Sequence, residues 1–278
     1  MPEHQVTNNE TAPPWDGETN ALGLIAAMPQ VAWQDEFQPL LQAVSTRLLR
    51  DRDVGPLLHS LYVYGSVTAG RAIPGKSDLD LCLILHRPPT DKDSEQIEKI
   101  RQELAAEYPI VSKIDFDIGS LADIAAPESG MAWRYWIKHH CRCLSGPDLA
   151  ADIAPFRPSR ALAIAINGDF GRVLGNYLQA LAQPQPSATV RRLIREASRK
   201  LIRSTNVLRP ATAITWPSSL DGHVDFFLLQ FPGQEEGMRY FLAQAVAPDA
   251  GVGEFVARLK AFSGWMLGEV QAMDRVNG

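Results

Sequence analysis

Leu61–Leu85 reads LYVYGSVTAGRAIPGKSDLDLCLIL. A β-prone run, Leu61-Tyr62-Val63-Tyr64, stops at Gly65-Ser66. A turn-rich segment holding Gly70 and Pro74-Gly75 follows, and a second apolar run opens on Asp78-Leu79-Asp80. Side chains two apart in a strand share a face, so Asp78 and Asp80 project together while Leu79, Leu81 and Leu83 point to the core. Carboxylates held that close repel unless a cation lies between them, and oxygen donors suit magnesium or manganese. Gly65 takes backbone angles that other residues avoid and lets a ligand approach. Ser66 is a good N-cap, which predicts a short helix over Val67–Arg71 with its free N–H groups facing an anion such as a phosphate. A phosphate cradle followed by a carboxylate pair describes a site for a metal-bound triphosphate.

The order Gly65-Ser66, eleven intervening residues, then Asp78-Leu79-Asp80 between apolar runs resembles the signature of the nucleotidyltransferase superfamily that includes DNA polymerase beta. Lys76-Ser77 before the acids and an acidic strand downstream strengthen it. The closer likeness is to the aminoglycoside nucleotidyltransferases and the minimal bacterial nucleotidyltransferases. It implies an α/β (α+β) catalytic domain with a small mixed sheet. It also implies Asp78 and Asp80 as metal-binding and catalytic residues, with Gly65, Ser66, Lys76 and Ser77 holding the nucleoside triphosphate. The implied cofactor is Mg2+ or Mn2+, and the implied co-substrate is an NTP, with ATP the commonest in such families.

The third carboxylate comes from a later strand. Ile114, Phe116 and Ile118 alternate with Asp115 and Asp117, which puts both acids on one face. In the resembling families the third acid takes the first polar position of such a strand, which maps onto Asp115. Asp117, about 7 Å further along by strand rise, is the alternative.

With 278 residues the chain can bury one large core or two modest ones. Its 45% hydrophobic and 21% charged residues are ordinary for a globular protein. No apolar run is long enough to span a bilayer, and the polar N-terminus does not read as a secretory signal, so a cytoplasmic protein without a membrane partner is expected. Three cysteines, Cys82, Cys141 and Cys143, give no disulfide framework. His139, His140, Cys141 and Cys143 invite a zinc reading, but adjacent histidines point apart and no second ligand pair lies at zinc-site spacing. A structural role is expected instead. Leu144, Gly146, Asp148 and Leu149 match the leucine–x–Gly–x–Asp–Leu stretch that follows the catalytic domain in aminoglycoside-type enzymes.

Three segments are expected: a mobile polar tail over 1–20, a nucleotidyltransferase domain over 21–147 and an all-helical, substrate-binding bundle over 148–278. Helices are predicted over 35–52 and 91–107 in the first domain. In the second they are predicted from Ser159 to Leu181 with a bend at Gly168 and Gly171, over 188–209, over 237–246 and over 252–273. Trp216, Asp221, His223 and Asp225 fall in a Pro-containing loop of the kind that lines clefts. The net charge of −5 argues against a generic nucleic-acid binder. Between Arg191 and Arg209, however, seven basic side chains face one acid. Arg192, Arg195, Arg199 and Arg203 form one helical stripe, suited to phosphates, to an RNA backbone or to solvent.

The expected activity is transfer of a nucleoside monophosphate from an NTP to a hydroxyl, with pyrophosphate released. The leading acceptor is a small hydroxylated molecule such as an aminoglycoside. The alternatives are tRNA or a partner protein, as for toxin–antitoxin nucleotidyltransferases, and a silent nucleotide-binding module.

Overall fold

The two apolar runs around Gly65 and Asp78 pair antiparallel in the computed structural model, which describes residues 19–27, 31–127 and 130–277. The expected tail therefore lies outside the described residues except for Thr19 and Asn20. The chain divides into a unit spanning Ala21–Gly168 and a second, helical unit from Asp169 onward.

The first unit is built on a mixed four-stranded sheet of β1 (Leu58–Tyr64), β2 (Leu79–Leu85), β3 (Ile114–Ser120) and β4 (Arg142–Ser145), in the order β3-β2-β1-β4. β1 pairs antiparallel with β2 and with β4, whereas β2 and β3 run parallel. Its helices are α1 (Gln38–Arg50, entered through a 3-10 turn at Asp35–Phe37), α2 (Gly65–Thr68), α3 (Asp91–Glu107), α4 (Leu121–Ala125), α5 (Gly130–His140) and α6 (Arg160–Asn167). Thr90 and Asp93 form a reciprocal capping box at the start of α3.

Alternation along the strands sorts two faces. Leu61, Val63, Leu79, Leu81 and Leu83 join Phe37, Leu40, Val44 and Leu48 of the α1 segment and Ile97, Ile100 and Leu104 of α3 in one core. On the opposite face Tyr62, Cys82 and Ile84 pack with Ile137 and Cys141 at α5. This second face also carries Tyr64, packed against that cluster, with Asp80 and the acids of β3.

The Leu144–Leu149 stretch has a local reason. Gly146 turns with φ +84°, and a Cβ there would meet the His59 carbonyl oxygen at 2.3 Å. The Ser60 hydroxyl donates to the Pro147 carbonyl at 2.5 Å, and Leu149 N donates to the Tyr62 hydroxyl at 2.7 Å. The segment thus pins the chain leaving β4 onto β1. His139 is likewise structural. It is buried, its Nδ1 lies 2.8 Å from the Ala26 carbonyl, and its Nε2 accepts from Phe156 N at 3.2 Å, so a neutral Nδ1–H tautomer satisfies both contacts.

The helical unit holds α7 (Phe170–Leu181), α8 (Ser187–Ser204), α9 (Leu220–Leu228), α10 (Glu235–Val246) and α11 (Val252–Asn277). Phe170, Leu174, Leu201, Phe227, Phe241, Phe255, Leu259 and Met266 share one core. The predicted helix over Ser159–Leu181 is two helices, because the chain breaks at Gly168-Asp169 between α6 and α7. α6 packs on α5, which places the unit boundary at Gly168 and not at residue 147.

The expected loop around His223 is also corrected. Ser219 caps α9 by accepting from Gly222 N at 3.0 Å, so Asp221, His223 and Asp225 are helical. Trp216 and His223 are buried, and burial, with Arg203 and Arg209 adding, pushes the imidazole pKa down to about 3. On α8, Leu193, Ala197 and Leu201 face inward as the stripe requires, and Arg192 pairs with Glu196 at 3.2 Å.

Replacing Gly146 with alanine forces a side chain against the His59 carbonyl in a backbone region that side chains avoid. Chemical denaturation is expected to show a loss of about 2–3 kcal/mol; an unchanged midpoint would contradict this account of the turn.

Candidate active site

Tyr64 ends β1, and Gly65 redirects the chain with φ +77°. A Cβ at Gly65 would lie 2.4 Å from Asp80 Oδ2. Position 65 is therefore closed to side chains twice, by backbone conformation and by the neighbouring carboxylate. α2 starts at Gly65, not after Ser66, and Ser66 makes no capping hydrogen bond. The turn falls at Gly65 as expected, and the helix begins there, two residues before the expected Val67. Arg71 N then bonds back to the Ser66 carbonyl at 3.0 Å.

The β2–β3 register brings Asp80 beside Asp115. Asp80 stands opposite Tyr64 of β1 and opposite Asp115 of β3, and Asp117 stands opposite Cys82. Asp78 immediately precedes β2. Asp80 is half-buried, and its carboxyl pKa is pushed up to about 6, first by burial, then by Asp78 and Asp115. Lys113 opposes that shift and Asp117 adds to it.

Each of the other acids has a partner that sequence pattern alone did not single out. The Ser112 hydroxyl bonds to Asp78 Oδ1, Lys113 Nζ lies 2.5 Å from Asp115 Oδ2, and the Tyr64 hydroxyl donates to Asp117 Oδ2 at 2.6 Å. All three are next to recognisable positions, before β3 or before Gly65, but their pairing depends on the β2–β3 rung and is tertiary. Lys76 and Ser77 lie in the turn leading to Asp78. Ser77 Oγ accepts from Ile73 N at 2.9 Å, and Lys76 is exposed.

A divalent ion has a suitable donor set here. Asp78, Asp80 and Asp115 offer hard oxygens, and the Asp80 pKa is raised by burial first and by Asp78 and Asp115 second. Among the described residues no three such side chains already converge as a metal cluster. Ser112 and Lys113 hold two of the carboxylates, and an ion would have to displace those contacts.

Two changes probe this arrangement. In Gly65→Ala the new methyl meets the Asp80 carboxylate in a backbone region that side chains avoid, and turnover is expected to fall about a hundredfold or more, with a stability loss of about 1–3 kcal/mol. Asp80→Asn removes a charge whose folded pKa lies above its unfolded value. On this group's account the wild type gains stability as pH falls from 7 through about 6. Thermal melts should therefore show the asparagine variant more stable than wild type at pH 7, with the advantage shrinking at pH 5. A variant less stable at pH 7 would refute the electrostatic reading.

Comparison with known proteins bears on the fold that carries these residues. Residues 47–124 match the family model for the nucleotidyltransferase domain. No curated protein matches the chain. Among solved structures, the chain is similar to spectinomycin adenyltransferase AAD(9) from Enterococcus faecialis, crystallised with ATP and spectinomycin. That likeness has a TM-score of 0.55 and 13% sequence identity, and covers 83% of this chain and 98% of the other. At that identity the likeness speaks to fold. No helix among the described residues is long and apolar enough to cross a membrane. The segment that matches the nucleotidyltransferase domain model contains Gly65, Asp78, Asp80 and Asp115.

Proposed function

We propose that this nucleotidyltransferase moves a nucleoside monophosphate, AMP from ATP, onto a hydroxyl group of a small molecule of the aminoglycoside or aminocyclitol class. The observation that supports the reading is that Asp80 shares a rung with Asp115, with Asp78 just before the same strand, beside a glycine that has no room for a side chain. The similarity to an enzyme whose structure holds ATP and spectinomycin supports the choice of co-substrate and acceptor class.

Asp78 and Asp80, with Asp115, would hold a divalent ion, magnesium or manganese. When bound, that ion neutralises charge on the triphosphate. The Gly65-Ser66 turn borders the same carboxylates and receives the phosphates, with Lys76 near enough in sequence to steady the leaving group. Asp115 completes a second metal position or takes the proton of the acceptor hydroxyl as its oxygen attacks the α-phosphorus. One P–O bond forms to the acceptor, the bond to the β-phosphate oxygen breaks, and pyrophosphate departs with its electron pair. Ser112 and Lys113 orient Asp78 and Asp115 through the contacts described above.

The test is pyrophosphate release with ATP, magnesium and a panel of hydroxylated acceptors, using wild type and the Asp78→Ala/Asp80→Ala double variant. Wild type is expected to turn over with at least one small acceptor, and the double variant to lose about three orders of magnitude or more. Full activity in the double variant would end this reading. Labelled nucleotide appearing on RNA or protein in a lysate, with none on small molecules, would reassign the acceptor.

A further inference from the structure

The end of the β1–β2 ladder opposite the carboxylates carries two histidines that the transfer chemistry leaves unused. Tyr64 faces Asp80 at one end of the ladder, and Leu58 faces Leu85 at the other. The register shifts between Leu58 and Ser60, so His59 is an extra residue of β1. Such a residue has no ladder partner, and the irregularity re-aims its side chain. His86 follows directly on β2, and its N–H donates to the Leu57 carbonyl at 2.8 Å. The two imidazoles come side by side, with ring centres 5.1 Å apart and planes at 80°.

The protonation of the His59 ring is set by its neighbour. The Ser60 hydroxyl donates to the Pro147 carbonyl at 2.5 Å, so toward His59 Nδ1, 2.6 Å away, its oxygen accepts. Nδ1 therefore carries the proton, and Nε2 keeps its lone pair. A hydrogen bond of this kind on one ring nitrogen orients a metal-binding histidine and decides which nitrogen binds. Burial first, and His86 second, push the His59 pKa down, which favours the neutral ring that a metal needs. His86 is exposed, and its ring makes no hydrogen bond among the described residues.

We infer that His59 Nε2 and His86 form a two-imidazole site for a divalent transition metal that prefers nitrogen donors, such as zinc, nickel or copper, clamping the far end of β1 to that of β2. An ion about 2.0–2.1 Å from each ring nitrogen lies about 3.2 Å from each ring centre, and at a near-tetrahedral angle the centres are then about 5 Å apart. The observed 5.1 Å meets that spacing. Rotation of the exposed His86 ring, with neither strand moving, brings both nitrogens to one ion, and water fills the remaining positions. Magnesium prefers oxygen donors, so it is drawn to Asp78 and Asp80 and not to this pair. The inference is independent of the transfer reading.

Calorimetric titration of the full chain with zinc, in excess magnesium to occupy the carboxylates, reads the site directly. One zinc per chain is expected with micromolar affinity, weakened about tenfold or more in His86→Gln and in His59→Gln. Because His86 is exposed, the His86→Gln variant should melt at the wild-type Tm without metal, which separates lost binding from lost fold. Copper(II), added at one equivalent, identifies the ligands. Its electron paramagnetic resonance spectrum should show hyperfine structure from two nitrogens in wild type and from one in His86→Gln. Zinc that fails to bind in excess magnesium, zinc binding unchanged in His86→Gln, or a wild-type copper spectrum with fewer than two nitrogens would each overturn the assignment.

Discussion

Mutual repulsion among carboxylates is the constraint around which the first unit is arranged. The parallel rung between β2 and β3 sets Asp80 directly beside Asp115, and Asp78 stands at the entry of the same strand. Partial burial then removes water that would screen them, which is why the Asp80 pKa rises to about 6. Such a cluster persists because the fold around it is over-determined. Leu79, Leu81 and Leu83 are locked into one core, and Cys82 and Ile84 into the other. Alternation leaves the intervening acids no other direction to face.

The same crowding explains the glycine and the outer partners. Asp80 Oδ2 occupies the place a Cβ at position 65 would take. The bend that brings the α2 segment against the acids therefore exists only with glycine there. Ser112, Lys113 and Tyr64 disperse the remaining charge over the rim, each gripping a different carboxylate. A cation introduced at the centre would compete with these contacts. The protein's own hydrogen bonds thus hold the acids close together without committing all of them to one point.

Much of this was legible from residue order because it follows from short-range rules. Period-two alternation located β1, β2 and β3 and their acid faces, and the amphipathic period located α3 over 91–107. What escaped depended on tertiary context or on a single disfavoured residue. Gly222 lowers helix propensity inside α9 and hid a helix that Ser219 caps. α6 reads as the start of the second unit, yet it packs on α5 and belongs to the first. α2 starts at Gly65 itself, two residues before the start expected from Ser66 as its cap. The partners of Asp78, Asp115 and Asp117 were invisible because Ser112, Lys113 and Tyr64 reach them through folded-state register. The choice between Asp115 and Asp117 was open in the sequence. The ladder places Asp115, and not Asp117, opposite Asp80.

The central claim is that these aspartates form one cation site. Anomalous diffraction from crystals grown with Mn2+ and a non-hydrolysable ATP analogue addresses it directly. The account predicts a manganese peak held by Asp78 and Asp80, with Asp115 turned toward it and Lys113 released. A nucleotide bound elsewhere, or manganese absent from these carboxylates while the wild-type enzyme still transfers nucleotide, would contradict it.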